Sequence, residues 1–267
     1  MFRRFRIGRV IKNGTAWIGL LLMLGSFVWL VSMPVTERAP SMASSATRRS
    51  VGAVVLDAGH GGQDSGAMCG TILEKDLTLD LAQRVERLLQ AEGIGTLMTR
   101  NDDTFVSLTD RARFANRVRD CVFVSIHFND GERALASGVE TYYAEHQNAP
   151  APMLIRWLPF MPKSVPVDAA NVESQSLAGF IQEAVVARTH ALDRGAKARQ
   201  FYVIANVTHP AVLVEGGFLS NKEDIAKLGS AEYREQLAAS ISEGILRYRE
   251  VLQERQTTLA VSAPARR

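Results

Sequence analysis

Residues 53–66 read AVVLDAGHGGQDSG. The apolar run Ala53 to Leu56 leads at once into Gly59, Gly61, Gly62 and Gly66. An apolar run closed by clustered glycines predicts a buried strand entering a tight loop. The pattern continues down the chain. Residues 76–91 set Leu77, Leu81, Val85, Leu88 and Leu89 at helical spacing among charges, with Gly93 as the stop. Residues 94–99 (IGTLMT) suit a strand, and 107–118 a helix capped by Ser107 or Thr109 with Asp110 in its first turn. Residues 121–126 (CVFVSI) predict a buried strand, and 138–143 (GVETYY) an alternating one. Residues 175–190 read as helix, 201–204 and 211–214 (AVLV) as strands, and 231–252 as a closing amphipathic helix. Strands separated by helices predict one α/β domain over 51–252, with a mostly parallel mixed β-sheet covered by helices on both faces. A flexible tail over 253–267 is expected after it.

Two segments depart from this rhythm. Residues 1–50 hold 8 of the 31 Lys+Arg and one acid, Glu37, so residues 51–267 carry 23 basic and 27 acidic groups. The body is mildly acidic, which excludes the basic face of a nucleic-acid binder. Arg3, Arg4, Arg6, Arg9 and Lys12 precede an uncharged stretch, Thr15 to Met33. As a helix it spans roughly 28 Å, enough to cross a bilayer core, with the basic end left inside. Residues 1–33 are therefore expected to be a membrane anchor, with a cleaved signal peptide as the rival, and 34–50 a linker. Either way the body is exported. Residues 144–174 contain five of the nine prolines and an apolar patch that includes Met153, Leu154, Ile155, Trp157, Leu158, Phe160 and Met161. A long insert of this kind is expected to be a lid or regulatory segment, or a docking site for a partner, or an ordinary loop. Only two cysteines, Cys69 and Cys121, are present, and both are expected to be free thiols.

Chemistry gathers where apolar runs end. The run to Leu56 leads to His60, the run to Ile126 to His127, and the run to Val214 to Glu215. Glu74 sits just before the first helix, whose capping residue is expected to be Asp76, and so also at a loop rim. Ligands of open α/β sheets bind outside the carboxyl ends of the strands. Two histidines and a glutamate are a known catalytic zinc set with one position left open, and a further carboxylate suits a general base. Taken singly, each has a plainer role: a loop histidine, a strand-end histidine, a helix-start carboxylate. Spacing alone leaves both readings open, because no compact HExxH motif joins them.

VVLDAGHGGQDSGA, EKDLTLDLA, SLTDRARFAN, VFVSIHFND, GVETYY, RGAKARQFYVI and PAVLVEGGFLSNKED occur in this order. Together they resemble the zinc-dependent N-acetylmuramoyl-L-alanine amidases of the amidase-3 type, from about Val51 to Tyr248. The resemblance implies one Zn2+ on His60, Glu74 and His127, with Glu215 as the catalytic glutamate. It implies a peptidoglycan substrate and an activator protein acting on 144–174. Asn129 and His209 are candidate substrate contacts, and a monomer is expected. Phe128 stands where the family usually has a small residue and is expected to narrow the cleft. The rivals are another zinc hydrolase, a peptidase or deacetylase, and a catalytically dead wall-binding module. A serine hydrolase is disfavoured by the lack of a GxSxG elbow, and a nucleotide binder by the lack of GK[ST].

Overall fold

The runs around 53–58 and 121–129 pair in parallel at the centre of a six-stranded sheet. The structure is a computed structural model that describes residues 51–131, 135–150, 164–167 and 169–262, together with Met23. In chain order the elements are β1 (Ala53–Ala58), β2 (Met68–Cys69), β3 (Ile72–Leu73), α1 (Glu74–Ala91), β4 (Gly95–Met98), α2 (Leu108–Ala115) and β5 (Cys121–Asn129). Then come β6 (Val139–Tyr143), β7 (Gln147–Pro150), β8 (Ser164–Val167), α3 (Ala169–Thr189), β9 (Asp193–Ala198), α4 (Tyr202–Ala205), β10 (Ala211–Phe218), α5 (Lys222–Leu228) and α6 (Ala231–Ser262). The sheet order is β4-β1-β5-β10-β6-β9. The first four are mutually parallel, β6 runs antiparallel to β10, and β9 is parallel to β6.

Alternation along the strands divides the core in two. Val54, Leu56, Val122, Val124, Ile126, Val212 and Val214 pack with Leu81 of α1, Ile181 of α3 and Ile241 of α6. Val55, Phe123, Ala211 and Leu213 pack on the other side with Ala112 of α2 and Ile204 of α4. Helices therefore cover both faces, as the near-continuous apolar strands require. From β1 the chain crosses to β4 on one side and then returns to β5 on the other. The carboxyl ends of β1 and β5 thus form the crevice at the point where the winding reverses. Ser107 caps α2, its side chain accepting from the backbone N–H of Asp110.

Several expectations need correction. Residues 201–204 are not a strand: Tyr202–Ala205 form the short helix α4, because Val203, Ile204 and Ala205 all bury against the second core rather than alternating. The polar run DRGAKA, which carries no strand signal, is the edge strand β9. Helix α3 begins at Ala169, and α6 continues to Ser262 through much of the expected tail. Both cysteines are free.

The 144–174 segment is more structured than a loop. It contains the antiparallel pair β7 and β8, Gln147 facing Val167, and the first turns of α3. Its root is tied down firmly. Gln147 Nε2 donates to the carbonyls of Val207 (2.8 Å) and His209 (2.7 Å), and Ser174 Oγ accepts from Ala211 N at 3.0 Å. All of these lie at the amino end of β10. The cause is the direction of β6, in which Glu140 faces Glu215 and Tyr143 faces Val212. The segment therefore leaves the sheet at the edge opposite to the crevice. The apolar patch at 153–161 lies outside the described residues. So does the helix expected over Thr15–Met33, except for Met23, which is helical. Among the described residues no helix is long and apolar enough to cross a membrane.

Candidate active site

β1 delivers the chain to His60, whose φ of 60° lies in the left-handed region that a non-glycine residue enters at a cost. Two buried arginines hold that backbone. Arg111 Nη1 donates to Ala58 O and Arg111 Nη2 to His60 O, at 2.6 and 2.5 Å. Arg100 Nε donates to Ala58 O (2.9 Å), and its Nη2 to Gly59 O and Lys75 O, both 2.8 Å. The second arginine so ties the His60 loop to the first turn of α1, where Glu74 stands. Beneath them Asp57 accepts from Arg111 (2.6 Å), Ser125 (2.7 Å) and Thr99 (2.6 Å).

His60, Glu74 and His127 converge. Glu74 Oε1 lies 3.0 Å from His60 Nε2 and 3.0 Å from His127 Nδ1. One ligand atom from each falls within 4.8 Å of the others. The imidazoles meet edge to face, centroids 4.9 Å apart. Backbone groups fix the carboxylate: Ala67 N donates to Oε2 at 2.8 Å and Phe128 N to Oε1 at 3.1 Å. On its far side His60 Nδ1 lies 2.9 Å from Asp64 Oδ2. Room is made by glycines: a side chain at Gly59 would strike the His127 ring, and one at Gly66, φ +63°, would strike Glu74.

The electrostatics follow from this crowding. Burial alone would raise the Glu74 pKa, but His127 and His60 hold it well below the ordinary carboxylate range. Burial opposes a charged His60, yet the Glu74 and Asp64 carboxylates raise its pKa. Glu215 is the opposite case. It sits directly beside His127 on the neighbouring strand. Burial, with Glu74 and Glu140 nearby, pushes its pKa well above normal. Its Oε2 is buried without a hydrogen-bond partner among the described residues.

A divalent cation fits this donor set. Two imidazole nitrogens and a carboxylate oxygen are zinc-type ligands, and in a tetrahedron with bonds of ~2.1 Å the donors lie about 3.4 Å apart. The observed 3.0 Å contacts are close to that spacing. A cation would also balance Glu215, whose buried carboxylate otherwise faces like charge.

The other expected residues divide. Asn129, two residues beyond His127, lies on the same face of β5, and its Nδ2 donates to Glu140 Oε1 at 2.7 Å. His209 precedes β10 at its amino end, and Ala211 to Glu215 alone is about 13 Å of strand, so His209 is not brought to the crevice. Phe128 does not narrow the cleft: it is 2% exposed inside the first core. His127 faces the crevice, so the next strand residue faces away.

Glu140 is a site residue that the spacing argument missed. It is 3% exposed, faces Glu215 across the sheet, and binds Arg194 Nε (3.0 Å) and Lys197 Nζ (2.6 Å) through Oε2. A glutamate inside the β-rich run GVETYY was the available signal, since a buried carboxylate needs partners. Burial would raise its pKa, but Lys197, Tyr142, Arg194 and Asn129 bring it down to about 2 from 4.5. A carboxyl depressed on folding stabilises the fold above its unfolded pKa and loses that contribution as pH falls. Glu140→Gln should therefore cost stability at pH 7. The gap to the wild type should close between about pH 4.5 and 2, read by urea unfolding over that range. A gap independent of pH would refute the charge assignment.

A doubly covered, mostly parallel sheet with this donor set at its carboxyl-terminal edge has the layout of a metal-dependent hydrolase. Residues 54–247 match the family model described as N-acetylmuramoyl-L-alanine amidase, and the chain belongs to that family. It is 38% identical over 195 residues to the uncharacterized protein YqiI of Bacillus subtilis, covering 73% of this chain and 84% of that one. It is 36% identical to the N-acetylmuramoyl-L-alanine amidase LytC of Bacillus subtilis, spanning 73% of this chain but only 35% of LytC. Among solved structures, the N-acetylmuramoyl-L-alanine amidase from Clostridium difficile 630 superposes with a TM-score of 0.64 at 32% identity, covering 75% of this chain and 98% of that one.

Proposed function

We propose that the domain hydrolyses the amide between the lactyl group of N-acetylmuramic acid and the L-alanine of the peptidoglycan stem peptide. His60, Glu74 and His127 hold one Zn2+, and Glu215 moves the proton. The observation that carries this reading is the convergence of three ligand atoms within 4.8 Å, beside a buried carboxyl group that has one oxygen unmatched. Family membership supplies the substrate class.

A zinc ion at this point supplies Lewis-acid chemistry, acidifying water and polarising an amide carbonyl. The protein does the rest. Phe128 N and Ala67 N keep the Glu74 carboxylate in one orientation, and Asp64 stands behind His60 as the orienting carboxylate. Glu215 takes a proton from the attacking water and returns it to the alanine nitrogen as the C–N bond breaks. Its place beside His127 on the neighbouring strand, with one oxygen unmatched, leaves that carboxyl group open to the water and then to the departing nitrogen. The basic start and the apolar stretch Thr15–Met33 support export to the cell envelope and anchoring at the membrane.

Incubation of the purified protein with sacculi tests the reading. Mass spectrometry should find stem peptides with a free L-alanine amino terminus and muramic acid with its lactyl group intact. Metal analysis should give one zinc per chain, and a chelator should stop release. Deacetylated glycan or cuts within the peptide would overturn it in favour of another hydrolase.

A further inference from the structure

Beyond the three converging groups and Glu215, three more charged side chains reach the same part of the crevice: Glu140, Arg194 and Lys197. We propose that Arg194 and Lys197 form a binding site for a free peptide carboxylate, carried by the residue that follows the scissile alanine. The proposal rests on the amidase reading above.

Register sets the position. His127, Glu215 and Glu140 lie side by side on β5, β10 and β6. Strands are ~4.8 Å apart. Arg194 and Lys197 belong to the edge strand β9, but both reach back to Glu140 Oε2 at 3.0 and 2.6 Å. Their cationic heads therefore lie over β6, about one strand spacing from Glu215. An extended residue advances ~3.3 Å. A carboxylate on the residue after alanine thus falls within reach once the amide is at Glu215.

Charge gives the sign of the ligand. Two cations meet one carboxylate, so one positive charge is left over. Glu140 Oε1 already accepts from Asn129, so its burial does not call for both. Asp193 on the same strand is turned to the other face of the sheet: it pairs with Val139, which packs in the first core, and its Oδ1 accepts from Gln182 of α3. Exposure separates the layers. The Glu140 side chain is 3% exposed, while those of Arg194 and Lys197 are 32% and 41%. The anion lies below and the cations turn outward.

The pair is also held still. The Arg194 guanidinium lies 4.9 Å over the Phe218 ring, and Glu140 grips both heads from beneath. Long cationic side chains usually lose rotamer freedom on binding, and here much of that loss has been met in folding. A planar donor edge beside an ammonium suits a carboxylate oxygen pair.

Two synthetic muramoyl dipeptides test the site, identical except that the second residue carries a free carboxylate in one and its amide in the other. The zinc-loaded full chain should cleave the free acid about tenfold more efficiently, the difference lying mainly in KM and shrinking with added salt. Lys197→Gln and Arg194→Gln should each reduce that preference, and the double variant should remove it. Equal kcat/KM for the two substrates in the wild type overturns the proposal without needing any variant. Variants that slow both substrates alike reduce the cations to partners of Glu140 and overturn it too. Failure to cleave either dipeptide or sacculi overturns the amidase reading, and this one with it.

Discussion

Glu215→Gln is expected to abolish most amide hydrolysis, by a factor of about 10^2–10^4, while zinc content stays at one per chain. Glu215 does not join His60, Glu74 and His127 in the group of converging ligand atoms, so its carboxylate can be neutralised without touching a ligand. The same change should stabilise the metal-free protein. An acid whose pKa is raised on folding binds its proton more tightly in the folded state. Stability is then complete at low pH and is lost as pH rises past the unfolded value, 4.5. Burial is the main cause, and the Glu74 and Glu140 carboxylates add to it. Glutamine keeps the shape and removes the charge. At pH 7 the zinc-free variant should melt above the zinc-free wild type, and the two should converge near pH 4. A catalytic role for Glu215 would then cost stability, the usual trade at a buried charged site. Measured activity within tenfold of the wild type would remove Glu215 from the proton path. An unchanged melting difference across pH would show that its carboxyl is not strained by its surroundings.

The parts of this site that sequence makes visible share a physical cause. His60, His127 and Glu215 each follow an apolar run, and a run of that kind is a buried strand whose end must open onto a crevice or a loop. Glu74 is different. As a helix-start carboxylate it has an ordinary role with the helix dipole, and only the motif resemblance selected it. Period-two alternation also fixes where the neighbour of His127 points. It places Phe128 opposite to His127, hence in the core. Strand direction is the information that local pattern lacks. His209 is next to the AVLV run but at its amino end, while the chemistry is at the other. Likewise nothing in GVETYY says that β6 runs antiparallel to β10, so the edge at which 144–174 emerges is not legible. β9 is hidden for another reason: its charges are answered by Glu140, which is distant in sequence, and its polarity cancels the strand signal.

Arg111→Met should be the most damaging change outside the residues that meet substrate or metal. Arg111 is 3% exposed and pairs with Asp57, which is fully buried. Removing one partner of a buried pair leaves the other charge uncompensated, at about 3–5 kcal/mol. Thr99 and Ser125 remain on Asp57, but each supplies a neutral hydrogen bond. For a domain of this size the loss corresponds to a fall in Tm of about 10 °C. Zinc affinity should fall as well, because Arg111 also holds the carbonyls of Ala58 and His60 and thereby the left-handed backbone that presents the imidazole. The two effects can be separated with Asp57→Asn. Combined with Arg111→Met it removes the stranded charge, so the double variant should regain part of the Tm without regaining zinc affinity. That non-additivity is the sign of a direct pair. Chelator competition reads the affinity and calorimetry the stability. Additive stability losses would show that Asp57 and Arg111 act separately. Full zinc affinity in Arg111→Met would show that the His60 loop keeps its shape through Arg100 alone.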